Sequence, residues 1–295
     1  MDIRLVLQFA VVAEELSFTA AAARLGVPQP WLSTRIRQLE SQLGVPLLLR
    51  STRRVELTEE GRALLDRARP IIQGAADVEE LARSLRGGGG RLRLGTPPYG
   101  SYIPETNRLV EAFRARWPGT SVELDIGWTP VLAERVRQGL VDLAFVTGLS
   151  PPAGLEALPV SVTRQELVLD PADPLAALAE VSPAALAGRR VAVFTHGLNP
   201  ELSQALFAPI AAAGGVLVEV PDIMDFRPMR DSPEPDLILA LFGWAAGEAA
   251  RQSGRVTRRL ATVGPLRLYL ARRRELARLP ASRFWDLARS EAAPR

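Results

Sequence analysis

Residues 13–61 constrain the fold of this chain more than any other stretch. They read AEELSFTAAAARLGVPQPWLSTRIRQLESQLGVPLLLRSTRRVELTEEG. A first helix starts near Asp2, and Ser17 caps a second. Leu25-Gly26-Val27 closes that second helix. Pro28, Gln29 and Pro30 open a third, because the first N–H groups of a helix need no intrahelical partner. Leu32, Ile36, Leu39 and Leu43 then recur at helical spacing, so one face of the third helix is buried. Arg50-Ser51-Thr52-Arg53-Arg54 follows, with Val55 and Leu57 alternating behind it. That pattern predicts two short strands around a basic tip.

The polar side of the third helix carries Gln29, Ser33, Thr34, Arg35, Arg37 and Gln38. A helix lying in a DNA major groove presents such groups to bases and phosphates. Arginines at a strand tip straddle phosphates or enter a minor groove. From residue 29 to residue 57 five arginines stand against Glu40 and Glu56. Each arginine alone is an ordinary solvated surface group. The ordered set points to double-stranded DNA, with Gln29, Pro30, Ser33, Thr34, Arg35, Arg37, Arg53 and Arg54 as the candidate contacts.

At these residues the chain resembles the winged helix-turn-helix of the LysR-type transcriptional regulators. The resemblance rests on Phe9, Val12-Ala13-Glu14, Ser17-Phe18-Thr19, Ala21-Ala22, Leu25, Val27, Gln29-Pro30, Leu32-Ser33, Ile36, Leu39-Glu40, Leu43-Gly44, Leu47, Arg50, Arg53-Arg54, Leu57-Thr58 and Gly61. Four positions depart from it: Pro28 replaces a usual Ser, Trp31 a small residue, Thr34 a frequent Arg and Leu48 a frequent Phe. They bear on which operator is bound more than on DNA binding itself.

Thr58 caps a long helix, and Glu59 and Glu60 in its first turn suit the helix dipole. Leu64, Ala68, Ile71, Ala75, Val78, Ala82 and Leu85 follow at alternating spacings of four and three. That is a heptad seam, the pattern of a helix paired with another along its length. The alternative is a helix packed on its own domain, and Pro70 would kink it. The resemblance favours a homodimer through this helix. Two recognition helices then meet two half-sites, so the operator is an inverted repeat. Gly87-Gly88-Gly89-Gly90 reads as a flexible joint rather than a phosphate loop, since no Lys-Ser or Lys-Thr follows.

Beyond residue 90 strands and helices alternate, which predicts an α/β architecture with largely parallel sheets. Strands are expected at 91–95, 121–127, 142–147, 166–169, 190–194, 216–220 and 266–271. Helices are expected at 103–117, 130–138, 200–213, 236–252 and 281–290. The order resembles the effector-binding region of the same family, which has the two-lobed fold of periplasmic binding proteins. The whole is then a multi-domain α+β chain. A winged helix-turn-helix covers 1–58, a dimerisation helix and hinge 59–90, and a regulatory domain 91–295. Lobe I takes 91–160 and 264–295; lobe II takes 161–263. The matches are good in lobe I, as at Gly139-Leu140-Val141-Asp142-Leu143-Ala144. They are poorer in lobe II, where Leu241-Phe242-Gly243-Trp244 stands in place of a Gly-x-Gly turn.

Ligand loops in such a fold lie at the carboxyl ends of strands and the helix N-termini that follow. That rule picks out Tyr99, Gly100, Ser101 and Tyr102, then Trp128 and Thr129, then Thr147 and Gly148. In lobe II it picks out Phe194, Thr195 and His196. Hydroxyls and helix N-termini suit a carboxylate and the aromatics a flat body, so a small organic acid is the expected effector. Trp128, Phe194 and Phe242 read equally well as core, and bulky Phe242 and Trp244 would narrow or fill the cleft.

The chain of 295 residues has 47% hydrophobic content, enough for two or three compact units. It has no lysine and a net charge of only +3, so overall charge says little about partners. It has no cysteine and one histidine, His196. Thiol chemistry is excluded, and neither a metal site nor a cofactor is expected. No Gly-x-Ser-x-Gly elbow accompanies His196, so no catalytic residue is assigned. The charged start is not a signal peptide, and the apolar run 237–247 is too short to span a bilayer. A cytoplasmic regulator is expected: a homodimer, or a dimer of dimers, on promoter DNA, with RNA polymerase as a further partner implied by the resemblance. The rivals are a regulator with an occluded cleft and no effector, and a small-molecule binding protein or enzyme with an accessory helical domain.

Overall fold

The computed structural model describes residues 2–50, 55–85, 90–220, 238–261, 264–274 and 278–291. The chain forms two compact units, 1–83 and 84–295.

The first unit packs three short helices: α1 (Ile3–Glu15), α2 (Phe18–Leu25) and α3 (Gln29–Leu43). Each has a local reason to start and stop. The Asp2 carboxylate accepts from the Arg4 N–H at 3.0 Å, and the Ser17 hydroxyl from the Ala20 N–H at 3.3 Å. Gly26 and Gly44 end α2 and α3 in the left-handed region, which glycine enters freely. Leu5, Phe9, Leu32, Ile36 and Leu39 form the fully buried core. Strands β1 (Leu48–Arg50) and β2 (Val55–Leu57) pair antiparallel and make the wing. The Glu40 carboxylate accepts from the Leu47 and Leu48 N–H groups at 3.0 and 3.2 Å, which fixes the wing to α3. Helix α4 (Glu59–Leu85) follows without a break at Pro70. The Thr58 hydroxyl accepts from the Gly61 N–H at 2.9 Å and so caps it.

The second unit holds two sheets. The first has the order β4-β3-β5-β13-β6: β3 (Arg91–Thr96), β4 (Ser121–Ile126), β5 (Leu143–Gly148), β6 (Glu156–Thr163) and β13 (Leu266–Arg272). The second has the order β10-β9-β11-β7-β12-β8: β7 (Gln165–Leu169), β8 (Glu180–Val181), β9 (Arg190–Phe194), β10 (Val216–Val220), β11 (Ile238–Phe242) and β12 (Val256–Leu260). Helices α5 (Pro104–Arg116), α6 (Thr129–Arg137), α7 (Pro200–Ala212), α8 (Gly243–Ser253) and α9 (Leu279–Glu291) complete it.

Two expectations are corrected. The sheets are mixed rather than largely parallel. Strand β13 lies antiparallel to β5 and β6, and β7 antiparallel to β11 and β12. The reason is topological: β6 leads out of the first sheet and β13 returns to it beside its neighbour, so the two run in opposite directions. The helix expected at 236–252 is also too long. Residues 238–242 form a central strand buried at every position, and the helix starts only at Gly243. A continuous apolar run reads alike as buried strand or buried helix. The chain changes sheets between Thr163 and Gln165 on the way out and between Leu260 and Leu266 on the way back.

Candidate nucleic-acid interface and ligand cleft

Helix α3 separates its predicted contacts into two groups. Gln29, Pro30, Thr34 and Arg37 are exposed. Ser33 is only 8% exposed and accepts from Arg37 Nη2 at 3.3 Å. The Thr34 hydroxyl donates back to the Pro30 carbonyl at 3.0 Å. Arg35 is half-buried and held within the domain. Its Nη2 pairs with the Asp2 carboxylate at 3.0 Å, its Nη1 donates to Gln38 Oε1 at 3.0 Å, and its Nε reaches Gln8 Oε1 at 3.4 Å. Asp2 responds in kind: the Arg4 N–H and the Arg35 guanidinium together hold its carboxyl below the usual range. Arg53 and Arg54 lie outside the described residues. One exposed group on this helix escaped assignment. Trp31 is 44% exposed, and the Arg35 guanidinium carbon stands 5.6 Å from its ring centre. A large aromatic on the solvent side of an amphipathic helix was the available signal.

Along α4, Leu65 and Ala68 are buried in the first unit. Leu64 and Ile72 pack against the same core in part. Further on the stripe turns outward: Ile71 is 44% exposed and Val78 67%, with Ala75 exposed between them and Ala82 half-buried. The side chain of Leu85 and residues 86–89, with them Gly87, Gly88 and Gly89 of the expected joint, lie outside the described residues.

In the second unit a chain of aromatic rings joins the lobes. Tyr99 and Trp128 come from the first lobe; Phe194, Phe207, Phe242 and Trp244 come from the second. Ring centres lie 5.8 Å apart for Tyr99–Trp128, 4.8 Å for Tyr99–Phe242, 5.4 Å for Trp128–Phe194 and 6.0 Å for Phe194–Phe242. Tyr99, Phe194 and Phe242 are all buried. Burial pushes the Tyr99 phenol far above its ordinary value. Trp244 Nε1 donates to Ser161 Oγ at 3.1 Å, tying the start of α8 to β6. Gly243 permits that contact, since a Cβ there would lie 2.6 Å from Thr163 Oγ1.

The remaining candidate ligand residues do not converge on one point. Thr129 Oγ1 donates to the Thr147 carbonyl at 3.1 Å and accepts from its N–H at 2.9 Å, locking the start of α6 to the end of β5. Beside that lock lies a cavity of about 540 Å³. Thr129, Arg137, Thr147 and Gly148 line it from the first lobe, and Asn199, Pro200, Glu201 and Leu202 at the start of α7 from the second. Gly100 and Ser101 face a different cavity of about 270 Å³, beside α5 and the open edge of β4. Tyr102 is half-buried against the core. Thr195 and His196 open a short 3-10 turn before α7, where His196 Nδ1 sits 3.2 Å from Ser203 Oγ. Among the described residues no cluster of His, Cys, Asp and Glu could hold a metal ion, and no helix is long and apolar enough to cross a membrane.

Comparison with known proteins agrees with this division. Residues 3–62 match the family model of the bacterial regulatory helix-turn-helix proteins of the lysR family, and residues 85–293 match the LysR substrate binding domain. The HTH-type transcriptional regulator IlvR of Caulobacter vibrioides is 30% identical over 90% of this chain and 86% of its own length. The HTH-type transcriptional activator CmpR of Synechocystis sp. is 38% identical over 50% of this chain; the match spans about half of that protein, 48%. Among solved structures, full-length CbnR in complex with its target DNA has a TM-score of 0.68 at 22% identity, covering 99% of this chain and 100% of that one. A full-length OxyR variant from Pseudomonas aeruginosa has a TM-score of 0.72 at 20% identity, covering 99% and 94%. The two family models between them account for nearly the whole sequence. The chain belongs to the LysR family of bacterial regulatory helix-turn-helix proteins.

Proposed function

We propose that this chain is a cytoplasmic, sequence-specific regulator of transcription, controlled by a small molecule bound in its second unit. The observation that carries the reading is the exposed polar start of α3. It stands on a fixed helical core beside a wing, in a stretch that matches the family's DNA-binding model. Gln29 reads base edges, assisted by Thr34, while Arg37, Arg53 and Arg54 hold phosphates. Arg35 positions the helix through Asp2, and Ser33 positions the Arg37 guanidinium. The outward stripe Ile71, Ala75 and Val78 on α4 pairs with its copy in a homodimer. Two such dimers form the assembly on an inverted repeat, within reach of RNA polymerase.

The effector is a small organic acid. It enters the cavity of about 540 Å³ between the starts of α6 and α7, where the positive ends of the two helix dipoles and Arg137 favour an anion. The buried aromatic cluster between the lobes favours the rival reading, a cleft already full. Effector control requires that the acid bind one arrangement of the lobes more tightly than the other. The test of the whole reading is a nuclease footprint on DNA from upstream of the gene. Protection of two inverted half-sites, altered by an added small acid, supports it. Protection of no specific site refutes the operator assignment, and a footprint indifferent to every acid leaves the ligand-free regulator as the answer.

A further inference from the structure

We infer that Trp31 is a specificity-determining residue of the recognition helix, reading the 5-methyl group of a thymine in each operator half-site. The inference rests on the DNA-binding reading above. Trp31 is the third residue of α3, inside its first turn, and recognition helices meet base edges with their N-terminal residues. It leaves 44% of its surface in solvent, although the same unit buries Phe9 completely. The Arg35 guanidinium stands 5.6 Å from the ring centre, one helical turn on. That guanidinium is itself fixed by Asp2 and Gln38, at 3.0 Å each. The ring thus has a fixed cation beside it before any DNA arrives, which favours one placement of the side chain. The thymine methyl is the one apolar feature that a base pair shows in the major groove. An exposed apolar plate at the entering end of the helix therefore selects for it. Gln29 and Thr34 nearby supply hydrogen bonds, which the methyl cannot use.

The test begins with selection of duplexes from a random-sequence pool by the full-length wild-type protein. Each thymine of the enriched sequence is then replaced singly by deoxyuridine, which removes only the methyl. The wild type is expected to lose about fourfold in affinity at one thymine per half-site, the weight of one buried methyl. Trp31→Ala should bind the thymine and deoxyuridine duplexes equally, and Trp31→Phe should keep the preference. Both variants should match the wild type on a scrambled duplex, which also shows that they are folded. The inference is overturned if the wild type ignores every replacement, if Trp31→Ala still discriminates, or if Trp31→Ala weakens binding to scrambled and selected DNA alike. The last result would mean a phosphate contact. A wild type that enriches no sequence would overturn the DNA-reading account itself, and this inference with it.

Discussion

Gln29 and the arginines of the wing do different work, and the difference is measurable. Gln29→Ala should relax specificity, lowering affinity for operator while leaving random DNA nearly unchanged. Arg53→Ala should weaken binding to both alike and reduce the salt slope by about one. Equal losses on operator and random DNA for both variants would contradict this division. Away from DNA, Asp173 reports on lobe II. Its carboxylate pairs with Arg189 and caps a 3-10 turn by accepting from the Leu175 N–H at 2.9 Å. The Arg189 contact and that N–H hold the carboxyl below its ordinary value. A depressed folded value means that the stabilisation is complete above the unfolded carboxylate value, about 3.9, and disappears as pH falls through the folded one. Asp173→Asn should therefore lower the urea midpoint at pH 7, and the gap to wild type should close in acid. A gap independent of pH would show that the charge contributes nothing.

Among the elements, α4 carries the sharpest prediction. Burying Ile71 and Val78 against a second copy is worth about 1.5–3 kcal/mol per side chain. A charge in that seam reverses the gain, so Val78→Asp should shift the light-scattering mass toward a monomer while the first unit stays folded. An unchanged mass would place the dimer contact elsewhere. Where α4 begins, Gly61 passes so close to the wing that a Cβ would lie 2.1 Å from the Leu47 carbonyl oxygen. Gly61→Ala should destabilise the first unit by about 1–3 kcal/mol, read by urea denaturation. Element identity was largely legible wherever caps and periodicity agreed, as in α2, α3 and α7. It failed at β11, whose uninterrupted apolar residues carry no period, and at β6, where Pro159 and polar residues hide a strand held by its partner β13. The seam was legible as a period. Nothing in the sequence separated Ala68, which packs on its own unit, from Val78, which does not.

At the scale of the whole molecule, the alternation of strands and helices gave an α/β unit, and its division into two lobes came through the family resemblance. The crossing strands were visible only through the family resemblance. The candidate ligand residues were legible as loop positions, but not their convergence. Tyr99, Trp128 and Phe194 meet in one aromatic cluster, Thr129 and Thr147 lock to each other, and Gly100 and Ser101 face a separate cavity. Such sorting depends on which side of each sheet a side chain leaves, and loop position does not encode that. The aromatic cluster packs rings of the two lobes against one another, and Phe242→Ala should destabilise the second unit by about 3–5 kcal/mol in calorimetry.

Recognition of particular DNA by this chain is directly measurable. Fluorescence anisotropy should be recorded for the purified protein with DNA from upstream of its gene, and with a scrambled duplex of equal length, across a range of salt. Tight binding to the upstream DNA is expected, with much weaker binding to the scrambled duplex and a steep fall with salt for both. Equal, weak binding to the two duplexes would contradict it.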